Sequence, residues 1–118
     1  MKVAITAQQN DIDSLVDPRF GRARWLIVAD TETGWWEAHD NAVNVAGAGV
    51  QAASAVTARG VHAVITGNVG PRGQKALAAE EVAIYQVGNG VSARQALDAF
   101  RRGELAAVEE PTISGPWS

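Results

Sequence analysis

Five short apolar runs, spaced along a chain of 118 residues, constrain this fold more than any other feature of the sequence. They are Lys2 to Thr6, Trp25 to Ala29, Trp35 to His39, His62 to Thr66 and Val82 to Val87. Each is bounded by polar, glycine or proline residues and reads as a strand. Segments of helical period follow the last three. Val50 to Ala58 carries Val50, Ala53 and Val56 on one face and stops at Gly60. Pro71 suits the first position of a helix running to Ala79. Ser92-Ala93-Arg94-Gln95 has the spacing of a capping box, and Ala93, Ala96, Leu97 and Phe100 then share a face until Gly103. The order strand, strand, strand, helix, strand, helix, strand, helix predicts an α/β fold with helices flanking a mixed sheet. The turn Thr31-Glu32-Thr33-Gly34 makes a hairpin of the second and third strands. With right-handed crossovers the expected arrangement is a five-stranded sheet of order 3-2-1-4-5, with strand 2 antiparallel. The expected domain covers residues 1–105, and residues 106–118, rich in turn formers, form a loosely ordered tail.

That topology has a chemical consequence. With only the second strand reversed, the loops Ala7–Ala23, Asp40–Gly49, Gly67–Pro71 and Gly88–Val91 leave from one edge of the sheet. Open α/β sheets bind ligands at that edge, where neighbouring connections diverge. The first loop ends in Asp17-Pro18-Arg19-Phe20-Gly21-Arg22-Ala23-Arg24. Arginine presents a planar fork of donors suited to oxyanions and keeps its charge in proteins. Gly47-Ala48-Gly49 and Gly67-Asn68-Val69-Gly70 precede two helices, whose free amides favour negative charge. A plain turn explains either glycine pair alone. Together with Arg19 and Arg22 they point to an anion site, with Arg24 either beside it or facing solvent.

Other chemistries find less support. The absence of cysteine removes disulfides, thiolate catalysis and cysteine-ligated zinc or iron–sulfur sites. His39 and His62 are expected at opposite ends of the sheet. Ser14, Ser54, Ser92 and Ser114 have no evident histidine base. Asp11, Asp13 and Asp17 crowd one polar loop, where aspartates commonly cap turns. The formal net charge of −3 argues against a nucleic-acid partner. No run approaches membrane-spanning length and no secretory leader is visible, so the expected location is the cytoplasm. Adjacent Trp35 and Trp36 must point to opposite faces of their strand, so at least one is partly exposed and suggests a self-association or partner surface.

Four segments in order resemble a known family. They are Val16-Asp17-Pro18-Arg19-Phe20-Gly21-Arg22-Ala23, Gly47-Ala48-Gly49-Val50-Gln51-Ala52-Ala53, Val64-Ile65-Thr66-Gly67-Asn68-Val69-Gly70-Pro71, and Ala96-Leu97-Asp98-Ala99-Phe100 with Gly103-Glu104-Leu105. From Met1 to Leu105 the chain is similar to the dinitrogenase iron–molybdenum cofactor biosynthesis family, which includes NifX-type carriers and the C-terminal domain of NifB. The resemblance implies a ribonuclease H-like three-layer fold of the nitrogenase accessory factor type. It also implies a non-catalytic protein that binds, stores or delivers an anionic iron–sulfur or iron–molybdenum cluster, or a cofactor precursor, alongside other cofactor-assembly proteins. The cofactor-binding residues it suggests are Arg19, Phe20, Gly21, Arg22, Gly47, Gly49, Gly67, Asn68 and Gly70, with no catalytic residue and no metal ligand. The chain departs from the family at Arg19, where many members carry a histidine suited to metal ligation. A charged arginine cannot ligate iron and holds an anion electrostatically.

Three functions follow in order of preference: a cluster-binding protein, a regulatory binder of small anions or nucleotides at the same edge, and a divergent metal-dependent nuclease using Asp11, Asp13 and Asp17. The last is weakest, because such nucleases draw carboxylates from several elements of the sheet. The expected assembly is a monomer or weak homodimer.

Overall fold

The computed structural model describes residues 1–41 and 48–113. Its centre is β1 (Lys2–Ala7), buried from Val3 onward. β1 pairs antiparallel with β2 (Trp25–Asp30) on one side and parallel with β4 (Ala63–Thr66) on the other. Beyond β2 lies antiparallel β3 (Trp36–Asp40), and beyond β4 lies parallel β5 (Ala83–Gln86). The expected order and the antiparallel second strand are present.

The expectation of five strands is corrected to six. Ala106–Val108 is β6, which pairs antiparallel with β5 from Ile84↔Val108 to Gln86↔Ala106. The sheet order is β3-β2-β1-β4-β5-β6, with two strands reversed rather than one. Three residues are too few to show a period in the sequence. Their pairing satisfies the outer backbone groups of β5 and packs Val108 against the core. The start of the expected tail is therefore part of the sheet.

Helices α1 (Ala48–Ala58) and α2 (Pro71–Ala79) cover one face, and α3 (Ala93–Arg101) covers the other. Alternation along the strands divides the core accordingly. Val3, Ile5, Ile27 and Ile65 meet Ala93, Ala96 and Leu97 of α3. Ala4, Leu26, Val28 and Val64 meet Ala53 and Val56 of α1 and Leu77 of α2. The capping box of α3 is complete, with the Gln95 amide donating to Ser92 Oγ at 3.1 Å and the Ser92 amide donating to Gln95 Oε1 at 2.9 Å. Among the described residues no helix is long and apolar enough to cross a membrane.

Candidate anion-binding site

The arginine loop connects β1 to β2 and is anchored along its length. Thr6, the buried penultimate residue of β1, donates its hydroxyl to the Asp17 carbonyl at 2.8 Å and accepts the Asp17 amide on its own carbonyl at 2.9 Å. Its hydroxyl also shares a 2.8 Å hydrogen bond with that of Thr66, the last residue of β4. A buried hydroxyl without a partner would cost about 1–3 kcal/mol, so this pair of threonines favours one loop position. Pro18 lies against Gly67, where a β-carbon would be 2.5 Å from Pro18 Cα. The Phe20 amide donates to the Asn68 carbonyl at 3.1 Å, and Phe20 to Arg22 form one turn of 3-10 helix.

A crevice of about 400 Å³ opens beside this loop, lined by Gln8, Gln9, Asp17, Arg19, Arg22 and Arg24 among others. Two of its three guanidiniums are matched by carboxylates. Buried Asp17 accepts from the Arg19 amide at 2.9 Å and from Arg19 Nε at 3.3 Å. Asp40 accepts from Arg24 Nε at 2.9 Å and from its terminal nitrogen at 3.0 Å, a two-pronged pair. That hydrogen bonding holds the Asp40 carboxyl below its ordinary value and the Arg24 guanidinium above its own. Arg22 has no such partner, and its Nε is buried without an acceptor among the described residues. Three guanidiniums against two carboxylates leave the crevice with one positive charge in excess. Arg59 also has an orphaned Nε, but it follows α1 and precedes β4, at the opposite edge of the sheet.

The other expected site residues divide by position. The Phe20 side chain is buried in the core facing α1 and α2 and is not open to the crevice, and Gly21 is buried as well. Gly67 lacks a β-carbon to make room for Pro18. The Asn68 carbonyl holds the arginine loop, while Asn68 Oδ1 accepts from the Thr112 hydroxyl at 3.3 Å. Gly70 precedes α2 as its N-cap with an ordinary extended backbone. The amide of neighbouring Val69 donates to Thr112 Oγ1 at 2.9 Å, so the chain after β6 occupies one donor of this glycine turn. Gly49 lies within the first turn of α1, which starts at Ala48 rather than Val50, and Gly47 lies outside the described residues. The structure thus brings Arg19, Arg22 and Arg24 together and gives Phe20 and Gly67 packing roles.

His39 and His62 do sit at opposite ends of the sheet. Asp11, Asp13 and Asp17 do not converge: Asp11 caps a turn by accepting the Asp13 amide at 2.9 Å, Asp13 pairs with Arg94 at 2.6 Å, and Asp17 pairs with Arg19. Among the described residues no group of three or more acidic or imidazole side chains could hold a metal ion. Sequence reasoning passed over Asp40, although the expected hairpin contains the signal. Counting outward from its turn places Asp40 opposite Trp25, beside Arg24.

Residues 1–103 match a family model described as dinitrogenase iron–molybdenum cofactor. The chain belongs to that family. Among solved structures, this dinitrogenase cofactor family chain is similar to the apo form of the orange protein from Desulfovibrio gigas. The two are 36% identical over 95% of this chain and 96% of that one, with a TM-score of 0.91. It is also similar to a Thermotoga protein provisionally identified as NifB, at 33% identity over 97% and 98% of the two chains and a TM-score of 0.83. No curated protein matches the chain.

Proposed function

We propose that this protein is a non-catalytic carrier that binds an anionic metal–sulfur cluster or cofactor precursor in the arginine crevice during cofactor assembly. Arg22 is the observation that carries the reading. It is a guanidinium of the anchored loop with a buried Nε lacking an acceptor among the described residues, and the crevice holds one positive charge in excess. A bound anion would supply the missing acceptor. Membership of a cofactor family and likeness to an orange protein and a NifB-type protein support a cluster as cargo. The donor set defines the mode of binding. The crevice offers guanidiniums, amides and one carboxylate already paired with Arg19, without thiolate or imidazole, so its chemistry fits outer-sphere capture of an anion better than ligation of iron. The finer description as a ribonuclease H-like protein of the cytoplasm belongs to the same proposal.

The test is anaerobic titration with a preassembled anionic iron–sulfur cluster, followed by visible absorbance. Saturable binding that weakens strongly in Arg19→Ala and Arg22→Ala supports the reading. No binding, or binding indifferent to both substitutions, sinks it. A parallel thermal-shift screen with phosphate, nucleotides and carboxylates decides for a small-anion binder if those ligands stabilise the protein and clusters do not.

A further inference from the structure

Among the described residues the sheet ends in two edge strands of different character. β6 has three residues and runs into Glu109-Glu110-Pro111, features that discourage further pairing. β3 has five residues and no proline, and both of its carboxylates have partners within the chain. Glu37 pairs with His39 at 3.1 Å and Asp40 with Arg24 at 2.9 Å. Large aromatic residues flank its start, with Trp35 47% exposed and Trp36 half-buried.

Register fixes which backbone groups of β3 face outward. The Asp30 amide donates to the Trp35 carbonyl at 2.8 Å, and the Asn41 amide to the Arg24 carbonyl at 2.7 Å. Trp35 and Asn41 therefore turn their backbone polar groups toward β2. Hydrogen-bonded positions alternate along an antiparallel ladder, so Glu37 and His39 do the same. The N–H and C=O groups of Trp36, Ala38 and Asp40 point away from the sheet, and no described strand takes them.

We propose that β3 is a homodimerisation edge, where two copies of this chain pair antiparallel about a two-fold axis at Ala38. Three two-fold registers of the outward row make more than one hydrogen-bonded residue pair, those centred on residues 37, 38 or 39. The first sets Glu37 against Glu37 and the last sets His39 against His39. Only the register at Ala38 places Glu37 of each copy opposite His39 of the other, with Ala38 facing Ala38 and Trp36 facing Asp40. A self-complementary patch of this kind is what an isologous two-fold contact requires. Trp36 and Ala38 already pack on the core facing α3, so pairing continues that apolar face from one copy to the next. The contact is small, and small contacts are weak and concentration-dependent.

Sedimentation equilibrium from about 1 μM to about 1 mM, the range in which small interfaces associate, tests this. The mass should rise from that of the 12.4 kDa chain toward twice that value. Glu37→Lys and His39→Glu should each weaken association about tenfold or more, since each sets like or unmatched groups opposite one another. An equal mixture of the two variants should recover the dimer, because the altered chains complement each other at both pairs. Ala38→Pro, tolerated on an edge whose N–H faces solvent, should also abolish pairing. Circular dichroism of each variant confirms folding. A wild-type mass that stays at one chain, variants that dimerise as well as wild type, or a mixture that fails to complement overturns the proposal.

Discussion

Pro18 and Gly67 approach so closely that a β-carbon on the glycine would lie 2.5 Å from Pro18 Cα and 2.9 Å from Pro18 Cβ. The contact joins the arginine loop to the turn after β4, and both atoms in the way belong to a ring or the backbone, which cannot swing aside. Gly67→Ala should therefore force the two segments apart and cost about 2–3 kcal/mol of stability. Urea unfolding measures the loss. A change below about 0.5 kcal/mol, typical of an unconstrained surface site, would show that the loop is not clamped there.

Glu81 presents the opposite case. It follows α2 with φ of 59°, a left-handed conformation that favours glycine, and its amide donates to the Ala78 carbonyl at 3.0 Å. Its side chain is exposed. Glu81→Gly should stabilise the protein by about 0.5–1 kcal/mol by removing the β-carbon penalty. The same unfolding experiment reads the gain, and a loss would mean the side chain makes a compensating interaction.

Much of this architecture is legible in the sequence because it rests on local signals. Alternating apolar runs, a turn closed by Gly34 and the Ser92–Gln95 capping box all act within a few residues, and the corresponding elements are present. What escapes the sequence is set by long-range contact. Phe20, set in a polar arginine-rich stretch, reads as a site residue, yet it fills the core beside Gly73, where a β-carbon would meet its ring at 3.0 Å. Gly67 reads as a glycine of the anion site, yet Pro18 accounts for it. Thr112 carries no pattern at all, and its bonds to Val69 and Asn68 depend on β6 bringing the chain back across the sheet edge. Charge concentration identified Arg19, Arg22 and Arg24, while the division into matched and unmatched guanidiniums depends on strand register.

Acid should weaken the fold through three hydrogen-bonded carboxylates. Hydrogen bonds from Arg94 hold Asp13 below the ordinary aspartate value of 3.8, and those from Arg24 do the same for Asp40. For Asp30 the cause is the backbone amides of Glu32 and Thr33. Each is protonated first in the unfolded chain, so its contribution is complete above the unfolded value and is lost as pH falls through the lower folded value. Urea midpoints should hold steady from about pH 7 to about pH 5 and fall below about pH 4. For the two arginine pairs, added salt should blunt the effect, because exposed pairs are screened. A flat profile down to about pH 2.5 would show that these contacts do not persist in solution.

Arg22 separates function from stability. Its Nε is buried without an acceptor among the described residues, an arrangement that costs the apo protein the desolvation of that group. Arg22→Met keeps much of the apolar stem and removes the unsatisfied donor. It should leave the ligand-free protein unchanged or more stable by about 1 kcal/mol. The same substitution should weaken capture of an anionic cluster about tenfold or more, since a charge-assisted donor is lost. By contrast, Asp17→Asn removes the carboxylate matched to Arg19 and should lower stability while raising the crevice's positive charge. Unfolding without ligand and titration with the cluster, run on both variants, give opposite signs if the guanidinium is held for binding. Arg22→Met with lower stability and intact anion binding would make Arg22 a packing residue and leave the crevice without its main donor.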